Sequence, residues 1–247
     1  MAEQKIGRTM AESTPLWDGD IVAPPGSPNI VYCVFDDVGY SDFGCYGSEI
    51  ATPNIDRLAA GGLRYTNFHT TSLCSPTRAS LLTGRNHHAV GMGTLANYDM
   101  GYPGYRGIIT KDAAMMPEIL RGVGYNSFAV GKWHLTPMHH TGPTGPFDQW
   151  PTQRGFDRFY GIMGAESSQY EPPVYDQTTP IAPHIGKPDY HLTEDLADQT
   201  ISWMQRQKAS SPDKPFFCYF STPAVHAPHH VPREWIEKYK GKFDSGW

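Results

Sequence analysis

The chain has 247 residues, which is enough for one large domain or two small ones. Apolar residues make up 39% and charged residues 18%, a composition typical of a folded protein and not of a disordered one. The formal net charge of −5 without a Lys/Arg run argues against nucleic acid as a partner. No stretch has the apolar length of a membrane span or a signal-peptide core, so we expect no membrane partner either.

A polar leader over residues 1–28 precedes the first regular element, and residues 29–247 are interpreted as one domain. The apolar run from Asn29 to Phe35 predicts a strand buried on both faces of a parallel sheet. Apolar spacing and proline positions then predict a helix over 54–60, a strand over 63–68 and a helix over 76–82.

The second half of the chain continues this alternation of helices and strands. Its predicted elements are a helix over 116–123, a strand over 125–130, a helix over 193–208 and a strand over 216–220. Residues 135–190 are rich in Pro, Gly, His and Tyr and are interpreted as long ordered loops. The alternation predicts an α/β fold with a mainly parallel sheet flanked by helices.

Ionisable side chains directly follow three of the predicted strands. Asp36 and Asp37 follow the strand over 29–35, Lys132 and His134 follow the strand over 125–130, and His226 follows the strand over 216–220. Ligands of α/β proteins bind outside the carboxyl ends of the parallel strands. We therefore expect these five side chains to converge at one edge of the sheet.

The adjacent carboxylates of Asp36 and Asp37 repel each other unless a cation lies near them. Their oxygen atoms suit Ca²⁺ or Mg²⁺ better than zinc. The alternative is that one aspartate caps a turn while the other faces solvent.

The segment Cys74-Ser-Pro-Thr-Arg78 places a cysteine at the start of a predicted helix and an arginine four residues later on the same face. Unpaired amides at a helix N-terminus favour negative charge, so the segment indicates a reactive thiolate or an anion-binding pocket. A structural alternative is a proline-initiated helix with a buried cysteine and an exposed arginine. We interpret the other cysteines, Cys33, Cys45 and Cys218, as structural.

Cys74-x-Pro-x-Arg78, continued as Ala-Ser-Leu-Leu-Thr-Gly-Arg85, resembles the signature of type I sulfatases. Four further segments resemble family blocks in family order: Phe35-Asp-Asp-x-Gly39, Thr52-Pro-Asn-Ile-Asp-Arg-Leu58, Gly131-Lys-Trp-His-Leu135 and His226-x-Pro228. The resemblance is strongest with bacterial arylsulfatases. It implies a sulfatase fold of the alkaline phosphatase type, with residues 29–247 as the N-terminal part of the catalytic domain. Because the sequence also shows no export signal, we expect the protein in the bacterial cytoplasm, unless a further segment precedes the chain.

The resemblance also implies a reaction. A separate formylglycine-generating enzyme oxidises Cys74 to Cα-formylglycine (3-oxoalanine), and the aldehyde hydrates to a gem-diol. One hydroxyl, held on the metal, attacks the sulfur of a small-molecule sulfate ester and expels the alcohol or phenol. The second hydroxyl then loses its proton, so that the aldehyde re-forms and sulfate leaves.

Four further residues receive roles from the same resemblance. Arg78 would brace the hydrated formylglycine with its fork of donors. Lys132 would bind a sulfate oxygen of the substrate. His134 would assist the elimination step, while His226 would contact the substrate and protonate the leaving oxygen.

The metal site implied by the resemblance consists here of Asp36, Asp37 and the modified Cys74, with Ca²⁺ as the usual ion and Mg²⁺ as an alternative. The sequence stops before the family's Asp-Asn ligand pair, a further sulfate-binding lysine and the small C-terminal subdomain. Calcium takes six to eight oxygen ligands, so we expect weak metal binding and a sheet with an unprotected edge.

Two other functions stay open at this point. Relatives with the same formylglycine and metal hydrolyse phosphonate monoesters or phosphodiesters, because phosphorus centres have a similar shape. The second alternative is an inactive fragment that binds a sulfated ligand.

Overall fold

A computed structural model describes residues 4–17 and 19–244. Its helices are α1 (Pro53–Ala60), α2 (Cys74–Thr83), α3 (Met116–Arg121), α4 (Leu192–Ser210) and α5 (Arg233–Lys238). Its strands are β1 (Ile30–Val34), β2 (Asn126–Lys132), β3 (Arg158–Ile162), β4 (Val174–Asp176), β5 (Thr179–Ile181) and β6 (Phe216–Ser221).

The strands form one sheet in the order β1-β6-β2-β3-β4-β5. The first four are mutually parallel, and β4 and β5 continue the sheet as antiparallel strands. The predicted α/β fold with a mainly parallel, helix-flanked sheet is confirmed. Among the described residues, β1 and β5 are the two edge strands of this sheet.

Strand periodicity divides the core into two clusters, one on each face of the sheet. Phe217 and Tyr219 of β6 belong to the cluster that contains Ala79 and Leu82 of α2. Phe216 and Cys218, which alternate with them, belong to the cluster that contains Leu196 and Trp203 of α4. Because successive side chains of a strand point to opposite faces, a continuous apolar run such as β6 feeds both clusters.

The first strand does not have the predicted burial. Ile30, Tyr32 and Val34 pack against the α2 cluster, while Val31 and Cys33 on the opposite face are exposed. β1 lies at the edge of the sheet, and α4 packs over β2, β3 and β6. The prediction of burial on both faces is therefore wrong, and Cys33 lies on the exposed face of β1. By contrast, Cys218 is buried, and burial raises the pKa of its thiol to about 12.

Two further element predictions need correction. The described structure has no strand over residues 63–68, where Leu63, Tyr65 and Phe68 are exposed and no partner strand covers them. Residues 135–190 are not only loops, because they contribute β3, β4 and β5. These strands are three to five residues long, too short for their period to stand out.

The predicted leader packs on the domain at its C-terminal end. Ala23 is buried, and the hydroxyl of Tyr125 donates to the carbonyl oxygen of Pro28 at 3.0 Å. Residues 1–3 and 18 of the predicted leader, and residues 245–247 of the predicted domain, lie outside the described residues. No helix in the described part of the chain has both the length and the apolar character that a membrane crossing needs.

Gly131, in β2, allows β2 and β6 to approach each other closely at their carboxyl ends. Its φ is +108°, and a Cβ atom there would overlap the carbonyl oxygen of Ser221. We expect Gly131→Ala to lower the free energy of unfolding by at least about 2 kcal/mol, because it adds backbone strain to a collision with main-chain atoms. Gly142→Ala is the control, since nothing lies within 4 Å of that Cβ position. If denaturant titrations gave the same free energy of unfolding for both variants, they would contradict this account.

Candidate active site

The segments that follow β1 and β6 are hydrogen-bonded to each other beyond the end of the sheet. The amide of Asp36 donates to Ala224 O at 3.1 Å, and the amide of Val225 donates to Asp36 O at 2.8 Å. Lys132 is the last residue of the neighbouring strand β2. The carboxyl ends of three parallel strands thus bring the predicted residues to one place, as the sequence led us to expect.

The floor of the site is a buried group of charges. The Asp36 carboxylate forms an ion pair with the Lys132 ammonium and lies 3.5 Å from Nη2 of Arg78. The side chains of Asp36, Arg78 and Lys132 are 5%, 2% and 0% exposed. Two cations therefore surround a single buried carboxylate, which leaves excess positive charge at the carboxyl edge of the sheet.

Arg78 is held by the ends of β2 and β6. Its Nη1 donates to Lys132 O at 2.9 Å and to the Tyr219 hydroxyl at 3.0 Å, and it also contacts Ser221 Oγ. Its Nε is buried and has no hydrogen-bond partner among the described residues. The alternative of an exposed arginine is therefore wrong. Tyr219 and Ser221 were missed by the sequence analysis, although two polar groups two residues apart at the end of an apolar strand are a usable signal.

Cys74 is the first residue of α2, as predicted, and it faces a histidine. Its Sγ lies 3.1 Å from Nδ1 of His134, whose ring is buried. Burial, followed by the charges of Lys132, Arg78 and His226, lowers the pKa of His134 to about 3. The imidazole beside Cys74 is therefore neutral at physiological pH.

The main chain of His134 is anchored on both sides. Its amide donates to Met163 O at 3.2 Å, and its carbonyl accepts a hydrogen bond from Ser75 Oγ at 2.8 Å. Its φ is +50°, and Asp37 has a φ of +59°. Left-handed backbone is uncommon for residues other than glycine, so these outliers show that the surrounding contacts hold both residues in place at some cost.

His226 and Asp37 form the open side of the site. Nε2 of His226 lies 3.8 Å from Oδ2 of Asp37, whose side chain is 63% exposed. Nδ1 of His226 lies 2.6 Å from Ala227 O and donates to it, since a carbonyl oxygen only accepts. This fixes the ring with Nε2 directed at Asp37.

A family model described as Sulfatase matches residues 28–247. The chain belongs to the sulfatase family. An uncharacterized sulfatase of Schizosaccharomyces pombe is 36% identical to it, over 89% of this chain and 41% of its own length. The arylsulfatase of Klebsiella aerogenes is 32% identical, over 98% of this chain and 52% of its own length.

The fold of this sulfatase chain is similar to that of solved structures as well. The crystal structure of Ps i-CgsB in complex with k-i-k-neocarrahexaose superposes with a TM-score of 0.68 at 26% identity, over 86% of this chain and 48% of that one. The chain thus spans about half the length of the relatives it matches, or somewhat less.

The residues of this sulfatase that are predicted to bind a metal have the right ligand atoms for a hard cation, but there are too few of them. Asp36 and Asp37 offer oxygen atoms, which suit Ca²⁺ or Mg²⁺. The described residues, however, contain no group of three or more His, Cys, Asp or Glu side chains placed to hold a metal ion. Asp36 is also already compensated by Lys132 and Arg78. These residues can therefore supply only part of a calcium site.

The buried neutral ring of His134 makes the stability of this sulfatase chain depend on pH. The unfolded ring takes up a proton below its ordinary pKa of 6.5, whereas the folded ring does so only near 3. Between these values the unfolded state binds more protons, so stability falls as pH falls. One proton corresponds to a slope of at most about 1.4 kcal/mol per pH unit.

We expect His134→Asn to flatten this pH dependence. Asparagine tolerates the left-handed backbone at this position and carries no titrating group. The difference in slope between the two proteins isolates the ring, because all other groups contribute to both. The measurement is the free energy of unfolding from urea titrations across this pH range, and equal slopes would rule out a buried neutral His134.

Proposed function

We propose that this sulfatase chain hydrolyses sulfate esters through a formylglycine made from Cys74. The observation that carries the proposal is the position of Cys74. It lies at the first turn of a ten-residue helix, 3.1 Å from a buried neutral histidine. The charged floor of Lys132, Arg78 and Asp36 lies beside that histidine, since Lys132 and Arg78 both act on its pKa. The similarity to the arylsulfatase of Klebsiella aerogenes supports an aryl sulfate as a substrate, and we extend the proposal to alkyl sulfates.

The surroundings of Cys74 suit the modified side chain. Among the described residues, the buried Nε of Arg78 has no hydrogen-bond partner, and an oxygen atom at residue 74 is the kind of acceptor that this donor lacks. The formylglycine, when formed by a separate generating enzyme, supplies a hydroxyl nucleophile and a second hydroxyl whose deprotonation releases sulfate. Arg78, four residues after residue 74 on the same helix, would then brace the modified side chain and add positive charge near the reacting group.

Positive charge at the site serves to bind the sulfate group. Lys132 has three N–H donors, and Asp36 is their only acceptor among the described residues, so two donors remain that could bind a sulfate oxygen. The N-terminus of α2 adds unpaired main-chain amides and the positive end of its dipole. These groups attract the anionic ester and stabilise charge that shifts onto sulfate in the transition state.

The two histidines handle protons at different atoms. His134 presents Nδ1 to the side chain of residue 74, where an unprotonated ring accepts a proton. His226 has Nδ1 committed to Ala227 O, so that its Nε2 is the atom that protonates the leaving oxygen. Before this transfer the ring would carry protons on both nitrogens, next to the Asp37 carboxylate; after it, the ring would keep only the Nδ1 proton.

Asp36 and Asp37, together with an oxygen of the modified residue 74, would hold part of a Ca²⁺ or Mg²⁺ site. The cation would supply Lewis acidity toward the nucleophile and the sulfate oxygens. Because the described residues provide only two carboxylates, we expect weak calcium binding by this chain.

The test compares two substrates that share an aryl leaving group, an aryl sulfate and an aryl phosphonate. The chain is produced together with a formylglycine-generating enzyme and assayed with excess Ca²⁺. We expect a higher kcat/KM for the sulfate. A preference for the phosphonate would assign a phosphonate hydrolase instead, and no turnover of either by fully modified protein would favour a fragment that only binds sulfated ligands.

A further inference from the structure

Asn97 contacts the side of the His134 ring that faces away from Cys74. Its Oδ1 lies 2.5 Å from Nε2 of His134, while Nδ1 of the same ring lies 3.1 Å from Cys74 Sγ. The two ring nitrogens therefore have separate and different partners. Asn97 lies outside every segment that the sequence analysis assigned to the site.

A neutral imidazole carries one proton, on either Nδ1 or Nε2. An amide oxygen only accepts hydrogen bonds, so Oδ1 of Asn97 requires the proton on Nε2. Nδ1 then has a lone pair, which faces the side chain of residue 74. With the proton on Nδ1 instead, the ring would offer residue 74 a donor and could not accept a proton from it.

The segment that carries Asn97 is tied to the site by its own main chain. The amide of Ala96 donates to Ser75 Oγ at 3.2 Å, and the same hydroxyl donates to the carbonyl of His134 at 2.8 Å. Gly107 packs closely against the main chain of this segment, because a Cβ atom at Gly107 would lie 2.8 Å from Tyr98 O. The main chain on both sides of Asn97 is thereby placed next to the ring, and the ring itself is anchored through the main chain of His134.

We infer that Asn97 is a positioning residue that fixes His134 as the Nε2–H tautomer, so that Nδ1 offers a lone pair to residue 74. Its catalytic consequence rests on the proposed function, because only a reaction at residue 74 uses that lone pair. The tautomer itself exists independently of any activity, and it can be read without a substrate.

The direct test is ¹⁵N NMR of histidine-labelled chain at neutral pH, with His134 assigned from the His134→Asn variant. In the wild-type chain we expect a pyrrole-type shift for Nε2 and a pyridine-type shift for Nδ1. Asn97→Asp keeps an acceptor oxygen and should keep this pattern. Asn97→Leu removes the acceptor and should move protonation partly or wholly to Nδ1.

Asn67→Leu is the matched control, because Asn67 Oδ1 makes the same kind of contact with Nε2 of the exposed His69 at 2.6 Å. It should leave the signals of His134 unchanged. A wild-type Nδ1–H tautomer would overturn the inference, since it means that the amide group of Asn97 donates to the ring. An unchanged pattern in Asn97→Leu would overturn it equally.

A kinetic comparison tests the consequence separately. With modified protein, Asn97→Leu should lower kcat by about 10²-fold with little change in KM, within the range that a positioned base contributes, and Asn97→Asp should restore most of it. If the tautomer follows the prediction while wild-type protein turns over no ester, the proposed function fails and the inference about Asn97 stands. If wild-type protein is active and Asn97→Leu retains full kcat, the positioning role in catalysis is excluded.

Discussion

Cys74→Ala should abolish hydrolysis of sulfate esters, with a loss of kcat on the order of 10⁴-fold or more. Alanine cannot be converted to an aldehyde, so no nucleophile forms at the first residue of α2. The rest of the site remains, since Arg78, Lys132 and Asp36 contact one another and the strand ends independently of the thiol. Substrate binding should therefore survive far better than turnover.

The assay is turnover of a chromogenic aryl sulfate by protein produced with a formylglycine-generating enzyme. Cys45→Ala is the matched control, because Cys45 is another partly exposed free cysteine whose amide, not its thiol, binds Asp56. Full activity in Cys74→Ala would mean that another residue is the nucleophile. An equal loss in Cys45→Ala would point to damage to the fold.

Asp36→Ala should lower the free energy of unfolding by about 3–5 kcal/mol, because it leaves two buried cations without their common counter-charge. Lys132 is fully buried and Arg78 nearly so, and neither has another carboxylate partner among the described residues.

Asp37→Ala provides the comparison within the same pair of aspartates. The Asp37 side chain is 63% exposed, and its one ion-pair partner among the described residues is His226 at 3.8 Å, so its loss should change stability by no more than about 0.5 kcal/mol. Both variants should weaken calcium binding, if the proposed ligands are correct. Urea titrations that give equal and small effects for the two variants would show that the buried charge group does not stabilise the fold.

The sequence predicts the elements whose apolar pattern is long or whose ends are marked. β2 and β6 are recognisable as apolar runs, α2 begins with its Cys-x-Pro segment, and α4 has four to five turns of amphipathic spacing. Their order fixes the parallel arrangement, because an intervening helix returns the chain to the same end of the sheet. The convergence of Asp36, Lys132 and His226 follows from that order alone.

Other features depend on neighbours that a local pattern does not describe. The apolar residues of β1 would suit a central strand as well as an edge strand. Val31 is exposed because the sheet order places β1 at the edge. Leu63 and Tyr65 have the two-residue spacing of a strand, yet no partner strand lies beside them among the described residues. The converse holds for β4 and β5, which are strands because they pair and not because of their composition.

Within the site, the family-like segments locate the charged residues but not their supports. Ser75, Asn97, Tyr219 and Ser221 all contact a predicted site residue, and none has a side chain that signals chemistry by itself. The pairing of Asp36 with both Lys132 and Arg78 also requires three dimensions, since these residues lie up to 96 positions apart. Sequence motifs thus supply the reacting groups, and packing supplies their geometry.

The central claim is tested most directly by the mass of the proteolytic peptide that contains Cys74, taken from protein produced with a formylglycine-generating enzyme. The account predicts a peptide that has lost the thiol sulfur and two hydrogens and gained one oxygen, as conversion of the side chain to an aldehyde requires. An unmodified thiol under these conditions would contradict the formylglycine mechanism for this chain and would leave a sulfatase fold that binds sulfated ligands without cleaving them.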